Sequence, residues 1–552
     1  MIPQTSTYTP LDRLFSLFTK VRPGEGRSLF LLFWLGFTFM FGQWVLKPIR
    51  DAFILSEADA EMAAYGNAVQ AVILMGLIPL YGVLYRHLNK IRLVQSVTMF
   101  FFVTTLLFYV LYRAGVSIYF PFYVWVGLYG TMVIAQFWAL AADHYNVKSG
   151  QRLFGVLAAG VSLGALAGPI TVSRFVPVIG PGGLLLLVAG ALIVTVFLVQ
   201  PSVNAIPEGS RGTGETEDEP EKPSILGGFA VVLKDRYLTL IAAWVVVQNI
   251  IDSTGDWVFR TAVQEHARET VANGDGGMTL ASQIGINMGN FYFIQNLVVF
   301  LLALLVVSRL IRWLGISRAI LILPSIMVVG YALIAVAPGL QFIPIFSLIW
   351  IYKITEKGFN YSLNNTIRGA LFLPTSRSAK YEGKTTIDSF FWRFGDLLQA
   401  GIIFVVLNVL DFGLTEVALL TMWLAVLMLW LAWRLGRQYK TMAASGSFNV
   451  PPKLGRLISD AEVVAGQAFQ HALHPETFLD PDPGEVLVLT AAQMDGTPLP
   501  GWVRFDPGRL IFEGTPPIEF TEQLVIQVTA TDVDGASVTQ TFCIRHTVRV
   551  DR

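Results

Sequence analysis

The chain of 552 residues is 54% hydrophobic and only 14% charged, with a mean hydropathy of +0.57. Soluble domains carry roughly 25% charged residues, so the composition excludes that class and indicates a polytopic membrane protein. Thirty-nine basic residues balance thirty-nine acidic ones, without the basic excess typical of nucleic-acid binders. A single cysteine, Cys543, excludes an intramolecular disulfide and a thiolate metal centre. The six histidines lie outside the apolar runs or at their ends, which argues against zinc chemistry and against a histidine relay at mid-membrane.

Residues 1–27 are polar, carry Pro3, Pro10 and Pro23, and hold no cleavable signal; Leu11–Phe18 suits a short amphipathic helix at the membrane surface. About twelve apolar runs follow, each near the ~20 residues that cross a bilayer. They fall at roughly 28–46, 62–85, 93–112, 119–142, 153–176, 182–200, 237–262, 284–308, 317–337, 342–363, 385–409 and 414–434. Between the sixth and seventh, 201–223 is acidic and rich in Gly and Pro, the composition of a flexible linker. Six-span halves at 28–200 and 237–440 therefore flank a linker at 201–236. Basic residues crowd the loops before span one and after spans two, four, eight, ten and twelve, from Arg13 and Lys20 to Arg437 and Lys440. By the positive-inside rule both ends face the cytoplasm. The halves share features: YGVLYRHLNKIRL (81–93) parallels LLVVSRLIRWLGISRA (304–319), and 148–168 parallels 379–401 in having a basic loop and then spaced glycines. Two six-span halves in parallel repeat are the major-facilitator architecture.

After a linker at 441–453 the pattern changes. Short alternating runs at 486–491, 502–505, 509–512, 523–531 and 536–544 read as strands, separated by Asp-Gly and Pro-Gly turns. Residues 454–552 are expected to form an immunoglobulin-like sandwich of six or seven strands. The expected fold is thus an all-α polytopic membrane protein of about twelve transmembrane helices in two halves, plus a C-terminal all-β domain.

Ionisable groups within spans mark functional candidates, because burial in hydrocarbon is costly. Lys47, Arg50 and Asp51 end the first expected span in FGQWVLKPIRD, where Pro48 is expected to break the helix; interfacial snorkelling of both cations is the plainer reading. Asp252 and Asp256 share one face of the seventh span, placed to carry a proton, pair a cation or hold a gate. Lys353, Glu356 and Lys357 interrupt the tenth span, with internal pairing as the alternative to a ligand site, and Asn360, Asn364 and Asn365 continue a polar face suited to a wet cavity. Arg393 lies inside the eleventh span with Asp388 and Asp396 on roughly its side, again open to simple pairing. Arg50 and Arg393 are the leading anion ligands, followed by Lys47, Lys353 and Lys357; Asp51, Asp252, Asp256, Asp388 and Asp396 are candidates for gating or coupling. No GxxxxGK[ST] loop occurs, and GVLAAGVSLGALAG (155–168) reads as helix packing. No cofactor is expected, and transport would be secondary or by exchange.

Residues 28–440 resemble the ATP/ADP translocase family of nucleotide exchangers and its bacterial relatives. The likeness is carried by LKPIRDAFILSEADAE (46–61), FWALAADHYNVKSGQRLFGVLAAGVSLGALAGP (137–169) and RGALFLPTSRSAKYEGKTTIDSFFWRFGD (368–396). The resemblance places the family's Lys-Asp pair on Arg50 and Asp51, its acidic residue of the seventh span on Asp252, and its lysine of the eleventh on Arg393. Charge signs are kept, although an arginine fork binds phosphate differently from a lysine. The family's glutamate of the fourth span falls on Gly127, which puts strict ATP/ADP specificity in doubt. The C-terminal part resembles cadherin-like or dystroglycan-type domains through DGTPLPGWVRFDP (495–507), EGTPP (513–517) and VTATDVDGASVTQTF (528–542). That likeness makes Asp480, Asp482, Asp532 and Asp534 weak calcium candidates, with plain turn formation as the alternative.

The expected function is a non-enzymatic transporter in a bacterial inner membrane, exchanging a nucleotide or other phosphorylated anion by alternating access. One rival is a proton- or cation-coupled carrier of another organic anion. Another is a non-transporting scaffold that displays the sandwich, a domain suited to a protein partner.

Overall fold

The computed structural model describes residues 8–87, 89–211, 225–274, 278–339, 344–375, 379–444, 452–480, 486–520, 523–532 and 535–547. The chain divides into two compact units, Met1–Ala370 with Glu382–Gly436, and Leu371–Tyr381 with Arg437–Arg552.

The helices in chain order are α1 (Pro10–Ser16), α2 (Glu25–Glu57), α3 (Glu61–His87), α4 (Lys90–Arg113), α5 (Tyr119–His144), α6 (Val147–Asn204), α7 (Ile225–Lys234), α8 (Arg236–Ala272) and α9 (Leu280–Leu302). They continue with α10 (Ser308–Leu314), α11 (Ile316–Ala319), α12 (Ile322–Val336), α13 (Ile345–Phe359), α14 (Asn365–Ala370), α15 (Lys384–Thr386), α16 (Trp392–Asn408) and α17 (Leu414–Ala444). Nine helical stretches among the described residues are long and apolar enough to cross a membrane. The longest, α6, supplies two crossings: its 58 residues kink at Gly180, whose φ of 66° favours glycine. With α3 and the α13–α14 segment, each of the twelve expected spans meets a helix, six before the linker and six after it. The chain is a multi-pass membrane protein.

Packing follows the demands of lipid. On α4, Phe100, Val103, Leu107 and Val110 are exposed at spacings of three and four, while Val94, Thr98, Phe101 and Thr105 are buried. Side-chain hydroxyls turn inward and satisfy their own backbone, as Thr98 does by donating to the Val94 carbonyl at 2.7 Å. The glycine-rich start of α6 lies directly on α2: a Cβ at Gly160 would meet the Phe33 carbonyl oxygen at 2.4 Å, and one at Gly164 that of Phe37 at 2.4 Å. Contrary to expectation, Pro48 does not end its helix. α2 runs through it to Glu57, because neighbouring helices in a bundle hold a proline-interrupted helix in place.

A polar base ties the chain ahead of α2 to the bundle. The buried Glu25 accepts from Arg152 at 2.8 Å, the Ser210 hydroxyl at 2.6 Å and the Arg22 amide at 2.7 Å. Arg152 also donates to the Lys20 carbonyl. Asp12 of α1 accepts from the amides of Gly26 at 2.6 Å and Gly24 at 3.1 Å. Burial pushes the Asp12 carboxyl up, but these donors with Thr9 hold it below its ordinary range. Leu14, Leu17 and Phe18 beside it are exposed, in keeping with a surface helix. The linker starts later than expected, since α6 extends to Asn204 and Ser210 is fastened to Glu25; residues 212–224 lie outside the described ones.

The second unit carries β1 (Lys453–Leu454), β2 (Ala461–Val463), β3 (Phe469–Ala472), β4 (Phe478–Leu479), β5 (Val488–Gln493), β6 (Val503–Asp506), β7 (Ile511–Gly514), β8 (Gln523–Thr531) and β9 (Ser537–His546). A sheet of order β2-β9-β8-β5 and another of order β3-β7-β6 enclose Phe512, Ile526, Val528, Phe542 and Ile544, with β1 and β4 as a separate pair. All five expected strands are present. The four before residue 480 are additional, being too short to show alternation. Asp532 accepts the Ala536 amide at 2.8 Å, a turn role. No cluster of three or more His, Cys, Asp or Glu side chains that could hold a metal occurs among the described residues, and Asp482 and Asp534 lie outside them.

Removing the cation from the buried Glu25 leaves an uncompensated charge. Arg152→Ala is expected to cost about 3 kcal/mol, the low end for breaking a buried pair, read as a lowered unfolding midpoint of the detergent-solubilised chain.

Candidate functional site

Seven helices, three from the first half and four from the second, surround a cavity of about 500 Å³. On α2, Gln43, Trp44, Lys47 and Arg50 follow a spacing of one, three and three, so they share the wall facing the second half. On α8, Asn249, Asp252, Ser253, Asp256 and Arg260 do the same. α13 gives Lys357, and α16 gives Trp392, Arg393 and Asp396. Among the described residues the wall carries five cations, Lys47, Arg50, Arg260, Lys357 and Arg393, against three carboxylates, Asp252, Asp256 and Asp396. Two positive charges are in excess.

The cations differ in how they are held. Lys47 lies between the rings of Trp44 and Tyr292, 4.6 and 4.4 Å from their centroids, and has no carboxylate at ion-pair distance among the described residues. The Arg50 guanidinium stacks over Tyr123 at 4.3 Å and reaches Asp51 only at 3.7 Å. Asp51 is fully buried behind the wall and joins the halves: Tyr292 of α9 donates to it at 2.6 Å, and Arg260 of α8 approaches at 3.4 Å. Arg393 pairs with Asp396 at 3.6 Å, whereas Asp388 turns to Lys384 at 2.9 Å and Arg368 at 3.5 Å, away from the cavity. The five-residue offset from 388 to 393, with a π turn at Ile387–Phe391 between them, carries Asp388 off the face of Arg393.

Asp252 and Asp256 do not stand alone. Asp252 meets Lys357 at 2.7 Å and Lys353 at 3.7 Å; Asp256 meets Lys353 at 2.9 Å and Lys357 at 3.0 Å. Lys353 also contacts Glu356 at 2.7 Å. Lys353 is therefore enclosed by carboxylates and does not line the cavity, while Lys357 does. Asn360 and Asn364 make a dry seam in place of the expected wet face: Gln248 donates to Asn360 at 2.8 Å, and Asn364 to Gln248 at 3.0 Å. Asn365 is exposed and donates to the Tyr361 carbonyl of its own helix.

Several residues on or just behind the cavity wall escaped the sequence reading. Arg260 is absent from the candidates because it stands at the end of the expected span 237–262, yet α8 runs ten residues further and Arg260 is buried. Its signal is the run Asp252, Asp256, Arg260, spaced by four on one face. Tyr123, Tyr292 and Gln70 carried no charge and so drew no notice. Gly127 lines the cavity, and a Cβ there would lie 1.7 Å from the Gln70 amide oxygen. The space that a larger residue would take is filled by Gln70.

Among the described residues, hydrogen bonds and ion pairs between the halves run from mid-bundle to the end where α2 and α8 finish. Besides Asp51, Gln264 donates to the carbonyls of Leu55 and Ala58 at 2.8 and 2.9 Å, Arg268 reaches Asp59 at 3.6 Å, and Asn408 donates to Glu61 at 3.3 Å. Asn296 donates to the Ala165 carbonyl at 2.8 Å nearer the middle.

Solved structures share the fold of the membrane unit. The nucleoside transporter NupG superposes with a TM-score of 0.54 at 12% identity, over 76% of this chain and 99% of its own. The POT family transporter PepTSo gives 0.54 at 11% identity, over 76% and 98%. A bacterial homologue of the iron transporter ferroportin, in an inward-facing state, gives 0.53 at 14% identity, over 75% and 98%. The membrane unit has the major-facilitator fold. Residues 451–547 match the He_PIG family model of an Ig domain, in agreement with the sandwich. No curated protein matches the sequence. In the major-facilitator fold of this chain, the cavity lies between the two halves and Asp51 lies in the seam that closes one end of it.

Asp51→Ala would leave Arg50 and Arg260 buried without their carboxylate. A stability loss of about 3–5 kcal/mol is expected, with part of it recovered when Arg260→Ala is added, as a thermal-unfolding cycle on the purified chain would show.

Proposed function

We propose that the chain is a secondary transporter of an organic anion, with a nucleotide or another phosphorylated compound as the favoured substrate. The observation that carries this reading is the excess of cations in the cavity between the halves, with Lys47 lacking any carboxylate at ion-pair distance among the described residues. Fixed cations out of bulk water favour an anion and cost little reorganisation when it arrives. Lys47, Arg50 and Arg393 are its ligands in this reading, and Lys357 joins them when it leaves Asp252. The rings of Trp44, Tyr361 and Trp392 on the same wall suit a planar base beside the phosphates. The resemblance of 46–61, 137–169 and 368–396 to nucleotide exchangers supports the same class.

Asp51 acts as the gate on this reading, with Asp252 and Asp256 holding Lys357 until substrate competes for it. Lys353 and Asp388, both off the cavity wall, act only through their neighbours. The positive-inside rule puts the sealed end outside, so the cavity would open to the cytoplasm. Alternating access then requires the Asp51 seam to part while the opposite end closes.

Liposomes preloaded with ADP and presented with labelled ATP test the proposal. Uptake that depends on internal ADP is expected. Lys47→Ala and Arg393→Ala should each lower it by roughly tenfold to a hundredfold, the loss of a charge-assisted contact worth about 1.5–3 kcal/mol, without lowering the amount of folded protein. Undiminished uptake by both variants would overturn the assignment of these ligands. No uptake by folded wild-type chain would overturn the nucleotide.

A further inference from the structure

At the cavity wall and just behind it, α8 and α13 bring three carboxylates against two ammonium groups, with Asp252, Asp256 and Lys357 on the wall and Lys353 and Glu356 behind it. Asp252, Asp256 and Glu356 share Lys353 and Lys357 at 2.7–3.7 Å. Glu356 is the innermost. It is 1% exposed and lies off the cavity wall, and its one cation at ion-pair distance, Lys353, is also shared by both aspartates. Among the described residues no other helix places a cation at ion-pair distance from these three carboxylates, although Lys47 of α2 and Asp396 of α16 face Asp256 and Asp252 from across the cavity. α9 and α12 contain no charged residue, and Tyr331 of α12 donates to the Ile251 carbonyl at 3.3 Å. Tyr352 and Tyr361 flank the cluster on its own segment as neutral phenols. Arg260, one turn beyond Asp256 on α8, is engaged with Asp51 at 3.4 Å. A dry cluster with one carboxylate too many is stabilised by one proton.

We propose that Glu356 is a proton-binding site, and that filling the cavity with an anion strengthens its hold on the proton. The second part rests on the transport reading above; the first does not. The linkage follows from Lys357, which belongs both to the cluster and to the cavity wall. An anion that draws Lys357 away leaves three carboxylates against Lys353 alone, and their affinity for a proton rises. By reciprocity a bound proton frees Lys357 for the anion. Anion and proton then move in the same direction.

The site is tested without any substrate, by infrared titration of the full chain in detergent, following the carbonyl band of a protonated carboxyl. The wild type is expected to show this band at neutral pH and lose it as pH rises. Glu356→Gln, a neutral isostere that leaves two carboxylates for two lysines, should lack the component lost from the wild type. Lys357→Ala imitates withdrawal of the lysine and should retain the band to a pH higher by about one unit or more. A Glu356→Gln spectrum equal to the wild type overturns the site, and a Lys357→Ala titration at the wild-type pH or below overturns the linkage. Liposome uptake of ATP then reads coupling: an inward proton gradient should accelerate the wild type and leave Glu356→Gln unchanged. A wild type indifferent to the gradient would overturn cotransport while leaving the infrared result decisive for the site. Failure of ATP to enter at all bears on the substrate and not on the proton.

Discussion

A carboxylate taken out of water inside a bilayer protein must find donors within reach or it will not stay ionised. Asp51 meets that constraint by using the other half of the molecule: its donors are Tyr292 on α9 and Arg260 on α8. The seam between the halves is thereby made conditional. The halves cannot part at this level unless water or an anion takes over the solvation of the groups released. A seam of leucines would close as firmly but would not respond to what enters beside it. Arg50, stacked on Tyr123 and only loosely engaged with Asp51, touches both the cavity and that seam, which on the proposed reading lets cavity contents act on it.

The same constraint explains why the polar groups of the membrane unit fall into two unequal sets. The cavity wall has cations to spare, and the cluster between α8 and α13 has one carboxylate to spare. In water such imbalances would be screened at little cost. Here the low dielectric strengthens each of them, and Lys357 belongs to both sets. On the proposed reading, this lysine makes the two imbalances complementary, an anion on one side being answered by a proton on the other.

Much of this was legible in the sequence, because membrane architecture is written in long-range hydropathy. The twelve runs and the glycine face of 155–168 correspond to helices and helix contacts. Lys47, Arg50, Asp252, Asp256, Lys357, Arg393 and Asp396 reach one cavity because charges in spans are rare enough to be noticed. What was lost depends on registers that hydropathy does not see. Pro48 was read as a stop because proline ends helices in water, whereas its neighbours in the bundle let α2 continue. Arg260 was not singled out because it stands at the expected end of its span, and the polar residues after 262 hid the further turns of α8. Asp388 was put beside Arg393 by helical spacing, which the π turn at 387–391 alters. Neutral partners such as Tyr123, Tyr292 and Gln70 have no signature in one sequence, since they matter only through the charge they meet.

Gly127 shows how the absence of a side chain is answered by a neighbour. A carboxylate at this place would offset one of the cavity's cations, and an exchanger with glutamate there would carry a smaller positive excess. Here the place is taken by the neutral amide of Gln70, reaching across from α3 into the space beside a bare α5 backbone. The substitution therefore changes charge without opening a hole. Even with Asp51 offsetting one of the five cations from behind the wall, the cavity keeps a positive excess, which on the proposed reading an anionic ligand neutralises. A glutamate placed at 127 alone would not add a free carboxylate to the wall, because any side chain added there meets Gln70 first. The two positions are packed as a pair, so a change at one has to be matched at the other.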